Sequence, residues 1–111
     1  MIGANSVLVS AKKEESTLDR YIDHIEHIAS LIGINGVGIG FDFFEFIYRQ
    51  WPESRQKELA AKFTTPHFIP DLRNHSHARN LTRRLIKRGF SDEQIEKILR
   101  GNWMRVFKEL L

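Results

Sequence analysis

Apolar residues recur at three- and four-residue spacing through Leu18, Tyr21, Ile22, Ile25, Ile28, Ala29 and Ile32. That period puts them on one side of a helix. Ser16 stands where a helix of this phase begins, and its hydroxyl can accept from the free amides of the first turn, with Asp19 placed to reach back. Gly33 can take the left-handed conformation that ends a helix. The pattern then changes. In "GVGIGF", glycine alternates with Val37, Ile39 and Phe41, which predicts a strand with one bare face onto which another layer can pack closely. The apolar opening "MIGANSVLV" predicts a short strand over 1–9, and "SAKKEES" a charged loop. Strand, loop, helix and strand make a βαβ unit with parallel strands and a right-handed crossover.

Residues 43–75 hold all three prolines and many aromatics, and read as irregular. Within them "PESRQKELAAKF" predicts a short helix with Pro52 near its first turn. A loop of this length is more often functional than idle. The last third is helical. Ser76 is placed to cap a helix to Arg88, with Leu81, Leu85 and Ile86 inward and Gly89 as its stop. Ser91 and Gln94 form a capping box for a helix over Asp92 to Arg100. Gly101 then reads as a stop and Asn102 as the cap of a third helix carrying Trp103, Val106, Phe107 and Leu110.

The chain has 111 residues, 41% hydrophobic and 28% charged, which predicts a single small domain over 1–111. No apolar run approaches the roughly 20 residues needed to span a bilayer. No basic region precedes the apolar start, so it does not read as a secretory signal. With no cysteine, thiol nucleophiles and Cys-based zinc sites are excluded, and a cytoplasmic location is favoured. The net charge of +3 is too small to indicate an anionic partner.

Several segments, in order, resemble the membrane (renal) dipeptidase family of zinc dipeptidases. "MIGANSVLV" is similar to the strand before that family's last crossover helix. "TLDRYIDHIEHIASLIGINGVGIGFDF" resembles its His-Ile-Asp-His-Ile helix and Gly-Ile-Gly-x-Asp-Phe segment, with Glu26 where the family has Asp. "RNLTRRLIKRGFSDEQIEKILRGNWMRVF" is similar to its closing helices. The likeness is thinnest over 44–70. It implies an α/β fold, a partial (β/α)8 barrel with two parallel strands, a crossover helix and three C-terminal helices. A complete barrel needs roughly 250 residues, so the likeness is to the last third only.

The resemblance also implies a chemistry. Asp42 matches the family's Asp at the C-terminal end of a barrel strand, where that residue handles protons during zinc-dependent hydrolysis of dipeptides. From the residues alone, Asp42 reads first as a strand end that starts a turn, and it is the resemblance that reverses this preference. The family continues Asp-Phe-Asp-Gly, whereas Phe44 and Glu45 follow here. The family's zinc ligands lie on earlier strands with no counterpart in this chain, so no metal ligand and no bound zinc are expected in it, and activity is not expected from it alone.

Other chemistry-bearing residues have competing readings. His24 and His27 share a helix face with Asp23 and Glu26, but such a pair is more often plain amphipathic surface. His75 and His77 flank the expected cap and diverge. Arg79, Arg83 and Lys87 share a face, beside Arg84 and Arg88, and could track phosphates. A solvated outer face is the stronger reading, and no nucleic-acid partner is expected. "LIKRGFSDEQIEKILRGNWMRVFKEL" loosely resembles a ubiquitin-associated domain, a small helical interaction module that would expose Gly89 and Phe90. Finally, two barrel strands alone would leave Ile2, Val7, Val9, Val37 and Ile39 short of neighbours. This predicts a marginal chain, self-association through open edges, or a truncated product of a longer gene.

Overall fold

The computed structural model describes residues 9–111. The main helix, α1, spans Leu18–Ile32. A 3₁₀ turn at Ile34–Gly36 follows, then α2 over Glu45–Tyr48 and α3 over Glu53–Lys62. After a 3₁₀ turn at His75–His77 come α4, Ala78–Lys87, α5, Asp92–Glu96, a π-helical turn, Lys97–Gly101, and α6, Asn102–Leu110.

No β-strand is formed among the described residues, which overturns the expected α/β fold and its partial barrel. The predicted strand over 1–9 lies outside the described residues except for Val9, which is buried in the core. The second predicted strand is resolved differently. Ile34–Gly36 coils into the 3₁₀ turn, and the following backbone takes its hydrogen bonds from the C-terminal helices. The amide of Ile39 donates to the carbonyl of Ile98 at 3.3 Å. The carbonyl of Ile39 accepts from Trp103 Nε1 at 2.9 Å. The amide and carbonyl of Ile39, which a sheet would have paired, are thus satisfied by a helix and a side chain.

The close approach expected at the glycines is present. A Cβ added to Gly38 would lie 2.8 Å from the indole Nε1 of Trp103, and one on Gly36 would lie 2.6 Å from Ile32 Cδ1. The layer over the bare face is thus α6 and the end of α1.

The buried centre joins Leu18, Tyr21, Ile22 and Ile25 of α1 to Leu81 and Leu85 of α4 and to Ile95 and Ile98, with Val9, Val37, Ile69 and Leu72 contributed by connecting segments. Complete burial of an aliphatic side chain such as Ile25 or Leu85 is worth about 2 kcal/mol. Ile28 and Ala29 pack partly against this core, but Ile32 is exposed. Ile86 is also exposed, contrary to its predicted inward position. Ile86 lies about 100° around the axis from Leu85, and on α4 the core covers Leu81 and Leu85 only.

The helix ends follow the predicted chemistry with shifts. Thr17, not Ser16, caps α1 by accepting from the Arg20 amide. Ser16 is buried instead, its hydroxyl facing Ser10 O, Lys12 O and His67. Asn74, not Ser76, caps the turn ahead of α4. Gly33 and Gly89 both have positive φ, 83° and 89°. At the end of α4 the Phe90 amide donates to Leu85 O and the Gly89 amide to Ile86 O, a complete Schellman closure. The Ser91–Gln94 capping box is formed in both directions.

The last predicted break does not occur. Gly101 is helical, φ −58° and ψ −43°, and α5, the π turn and α6 run on without interruption. A Cβ on Gly101 would lie 2.6 Å from Glu96 Oε2, so this glycine makes room inside the helix. Asn102 is not a cap. It is buried and donates its Nδ2 to Ile34 O at 2.8 Å and Val37 O at 2.7 Å.

Candidate functional site

Asp42 lies between Val37–Phe41 and α2, is exposed, and has φ 52°, alone among the non-glycine described residues in being positive. Aspartate tolerates this region better than most residues. The reversal at Asp42 lets its neighbours Phe41 and Phe43 stack at 4.7 Å. The edge of His75 meets Phe43 at 4.9 Å. A second aromatic group follows, with Phe44, Tyr48 and Phe68 in contact and Trp51 beside Tyr48. Arg55 lies over the Trp51 ring, 4.1 Å from its centre.

Three residues after Asp42, Glu45 is buried. Arg73 Nε donates to both of its oxygens, at 3.1 and 2.8 Å, and Nη2 adds a further bond to Oε1. Arg49, one turn on, also donates from Nε to Oε1 at 2.7 Å, and its Nη2 makes an ion-pair contact with the same oxygen at 2.7 Å. The Arg73 guanidinium, aided by Arg49, holds the Glu45 carboxyl below the usual carboxylate range against the opposing effect of burial. Two arginines on one buried carboxylate leave net positive charge at the surface. Beside them an open groove of about 680 Å³ is lined by Lys13, Tyr48, Arg49, Thr65, Pro66, His67, Phe68, Pro70 and Arg73. Asp42 does not line this groove.

The histidines are structural or dispersed. His24 Nε2 lies 2.9 Å from the carbonyl of Val9, and His67 Nε2 lies 2.8 Å from Ser16 Oγ and 3.2 Å from Ser10 O. Both pin the chain before α1 onto the body. His77 Nδ1 accepts from the Arg73 amide at 3.3 Å. Among the described residues no group of three or more His, Asp or Glu is placed to hold a metal ion, and none of their helices is long and apolar enough to cross a membrane.

The basic cluster of α4 divides. Arg84 pairs with Asp19, and Arg88 bonds Asp19 O at 2.9 Å, Asp23 at 2.8 Å and Glu26 at 2.8 Å. Those two arginines join α4 to α1. Arg79, Arg83 and Lys87 remain exposed. Phe90 packs against the core, so the exposed Gly-Phe loop required of a ubiquitin-associated module is not formed.

The buried Glu45 clamp was not anticipated. Its one legible signal was Arg49 four residues on, the spacing of a helical ion pair. Arg73 is 28 residues away and gave no local sign.

Residues 1–110 match the family described as membrane dipeptidase, peptidase family M19, and the chain belongs to that family. It is similar to Dipeptidase ataJ of Aspergillus terreus, 34% identical over 101 residues that make up 91% of this chain and 20% of that protein. It is also similar to Dipeptidase tcpJ of Claviceps purpurea, 26% identical over 103 residues, 93% of this chain and 20% of that protein. The chain thus spans about a fifth of the length of these relatives. No solved structure matches it. The family is zinc-dependent, and the described residues do not form a set that fits the metal.

Proposed function

We propose that this chain is the C-terminal part of a metal-dependent dipeptidase, with Asp42 as the group that handles protons when a dipeptide is hydrolysed. The observation that carries this reading is family membership over 1–110 combined with an exposed, positive-φ aspartate at the family's Asp-Phe motif. A non-glycine residue held at positive φ is the kind of local strain that accumulates at functional sites. An exposed carboxylate can take a proton from an attacking water and deliver it to the departing amine. The metal would be held by residues outside the described part of this chain, and no activity is expected of the chain alone.

The exposed side chains of Leu31 and Ile32 at the end of α1, and of Phe46 and Ile47 on α2, support a setting in which further protein covers them, as the greater length of the relatives would allow.

The test replaces the matching segment of Dipeptidase ataJ with this chain and assays dipeptide hydrolysis. The chimera should turn over, and Asp42→Asn should lower kcat by at least a hundredfold with KM little changed. His27→Gln, on exposed surface, should leave it active. Turnover by the isolated chain with added zinc, or a fully active Asp42→Asn chimera, would reject the proposal.

A further inference from the structure

We propose that the groove beside Glu45 is a binding site for a small organic oxyanion, a carboxylate or phosphate monoester carried on an apolar or aromatic body. This site is separate from the role given to Asp42, which does not line it.

Three observations converge. The groove has about 680 Å³ of space, within the range of small-molecule sites. Its cations come from three parts of the chain, Lys13, Arg49 and Arg73. Glu45, the carboxylate that could neutralise them, is turned inward, its side chain only 7% exposed. It takes Nε and Nη2 of each arginine. The Nη1 groups are left clear of Glu45, and Lys13 makes no ion pair among the described residues. Guanidinium groups held by a buried carboxylate are preorganised, so little side-chain freedom is lost when an oxyanion arrives. The third observation is the wall. Phe68, Tyr48, Pro66 and Pro70 give apolar surface beside the cations, which suits an anion with a hydrophobic body over a free inorganic one.

Other clusters carry less. The Arg83 and Lys87 surface has no apolar wall of comparable size, and Arg84 and Arg88 are already committed to α1.

The test is titration of the whole chain with phenyl phosphate, benzoate, inorganic phosphate and benzylamine, followed by calorimetry and amide NMR shifts. Phenyl phosphate or benzoate should bind at least tenfold more tightly than inorganic phosphate, and benzylamine should not bind. The stronger of the two aromatic probes identifies the oxyanion. Binding should weaken at least threefold between low salt and 0.5 M salt. Arg49→Gln should weaken it at least tenfold, because Arg73 still satisfies Glu45 and the fold survives. Lys13→Gln, at an exposed position that makes no bond to Glu45, should weaken it threefold or more. Benzylamine binding equally well, no saturable binding by either aromatic anion, or full affinity in a folded Lys13→Gln and Arg49→Gln double variant would overturn the proposal.

Discussion

Asn102 Nδ2 donates to the carbonyl of Val37 at 2.7 Å, a bond from the last helix to a segment 65 residues earlier. The same amide reaches Ile34 O. One buried side chain thus supplies the donor to Val37 O and a second donor to Ile34 O, which also accepts the Val37 amide. Asn102→Ala should destabilise the chain by about 2 kcal/mol, because the buried Val37 carbonyl loses its donor without replacement. Urea unfolding followed by tryptophan fluorescence would measure it. A loss below about 0.5 kcal/mol would mean that water reaches these carbonyls.

Gly38 and Trp103 provide a second test of the same contact. Gly38→Ala drives a methyl into the indole ring and should lower stability by about 1–3 kcal/mol, the range for overpacking. Displacing the ring should also weaken the Nε1 bond to Ile39 O and shift the tryptophan emission. An unchanged emission spectrum with unchanged stability would show that the ring moves aside freely.

Glu45 gives the fold an acid-sensitive component. Its folded pKa is depressed, first by the Arg73 hydrogen bonds, below the unfolded value of 4.5. A depressed carboxyl stabilises fully above the unfolded value, and the contribution is lost as pH falls through the folded one. Wild-type protein should therefore melt well above Glu45→Gln at pH 7, and the difference should shrink toward pH 3. A difference of equal size at both values would rule out ionisation as the cause.

Gly89 separates backbone strain from packing. Nothing lies within 4 Å of an added Cβ there, yet φ is 89°. Gly89→Ala should cost about 1 kcal/mol through conformation alone. Calorimetric melting that showed no decrease would imply that the Schellman closure relaxes at no cost.

Asp42 has the opposite balance. Asp42→Gly should hold or slightly raise stability by relieving the positive φ, whereas Asp42→Val should lower it by about 1–2 kcal/mol, since β-branching is poorly tolerated there. Equal denaturation midpoints for the two variants would argue against this backbone constraint.

How much of this was legible depends on the kind of signal. Leu18, Tyr21, Ile22 and Ile25 announced α1 through spacing, and Ser91 with Gln94 announced α5 through paired cap chemistry, because both signals are local. "GVGIGF" misled because alternating glycine shows a bare face and an extended tendency but not what approaches that face. Here it was Trp103 and the helix behind it, not a strand. Gly101 misled for a related reason. Glycine ends helices by default, but at this position it admits the Glu96 side chain within a helix that tertiary packing holds together. The burial of Glu45 depends on Arg73, 28 residues along the chain, and no local pattern encodes it.

The π turn at Lys97–Gly101 means that the facing of α6 is a matter of counting. Such a turn behaves as one residue inserted into an α-helix. The Asn102 amide closes on Lys97 O, five residues back rather than four, so the extra residue is absorbed within about one turn and Asn102 and Trp103 keep the facing that reaches Val37 and Ile39. Deleting one residue within this turn should therefore yield a regular α-helix that leaves α6 nearly in phase, whereas the same deletion inside α6 would rotate everything beyond it by about 100°. The turn is a place where the helix can change length and still present the same side.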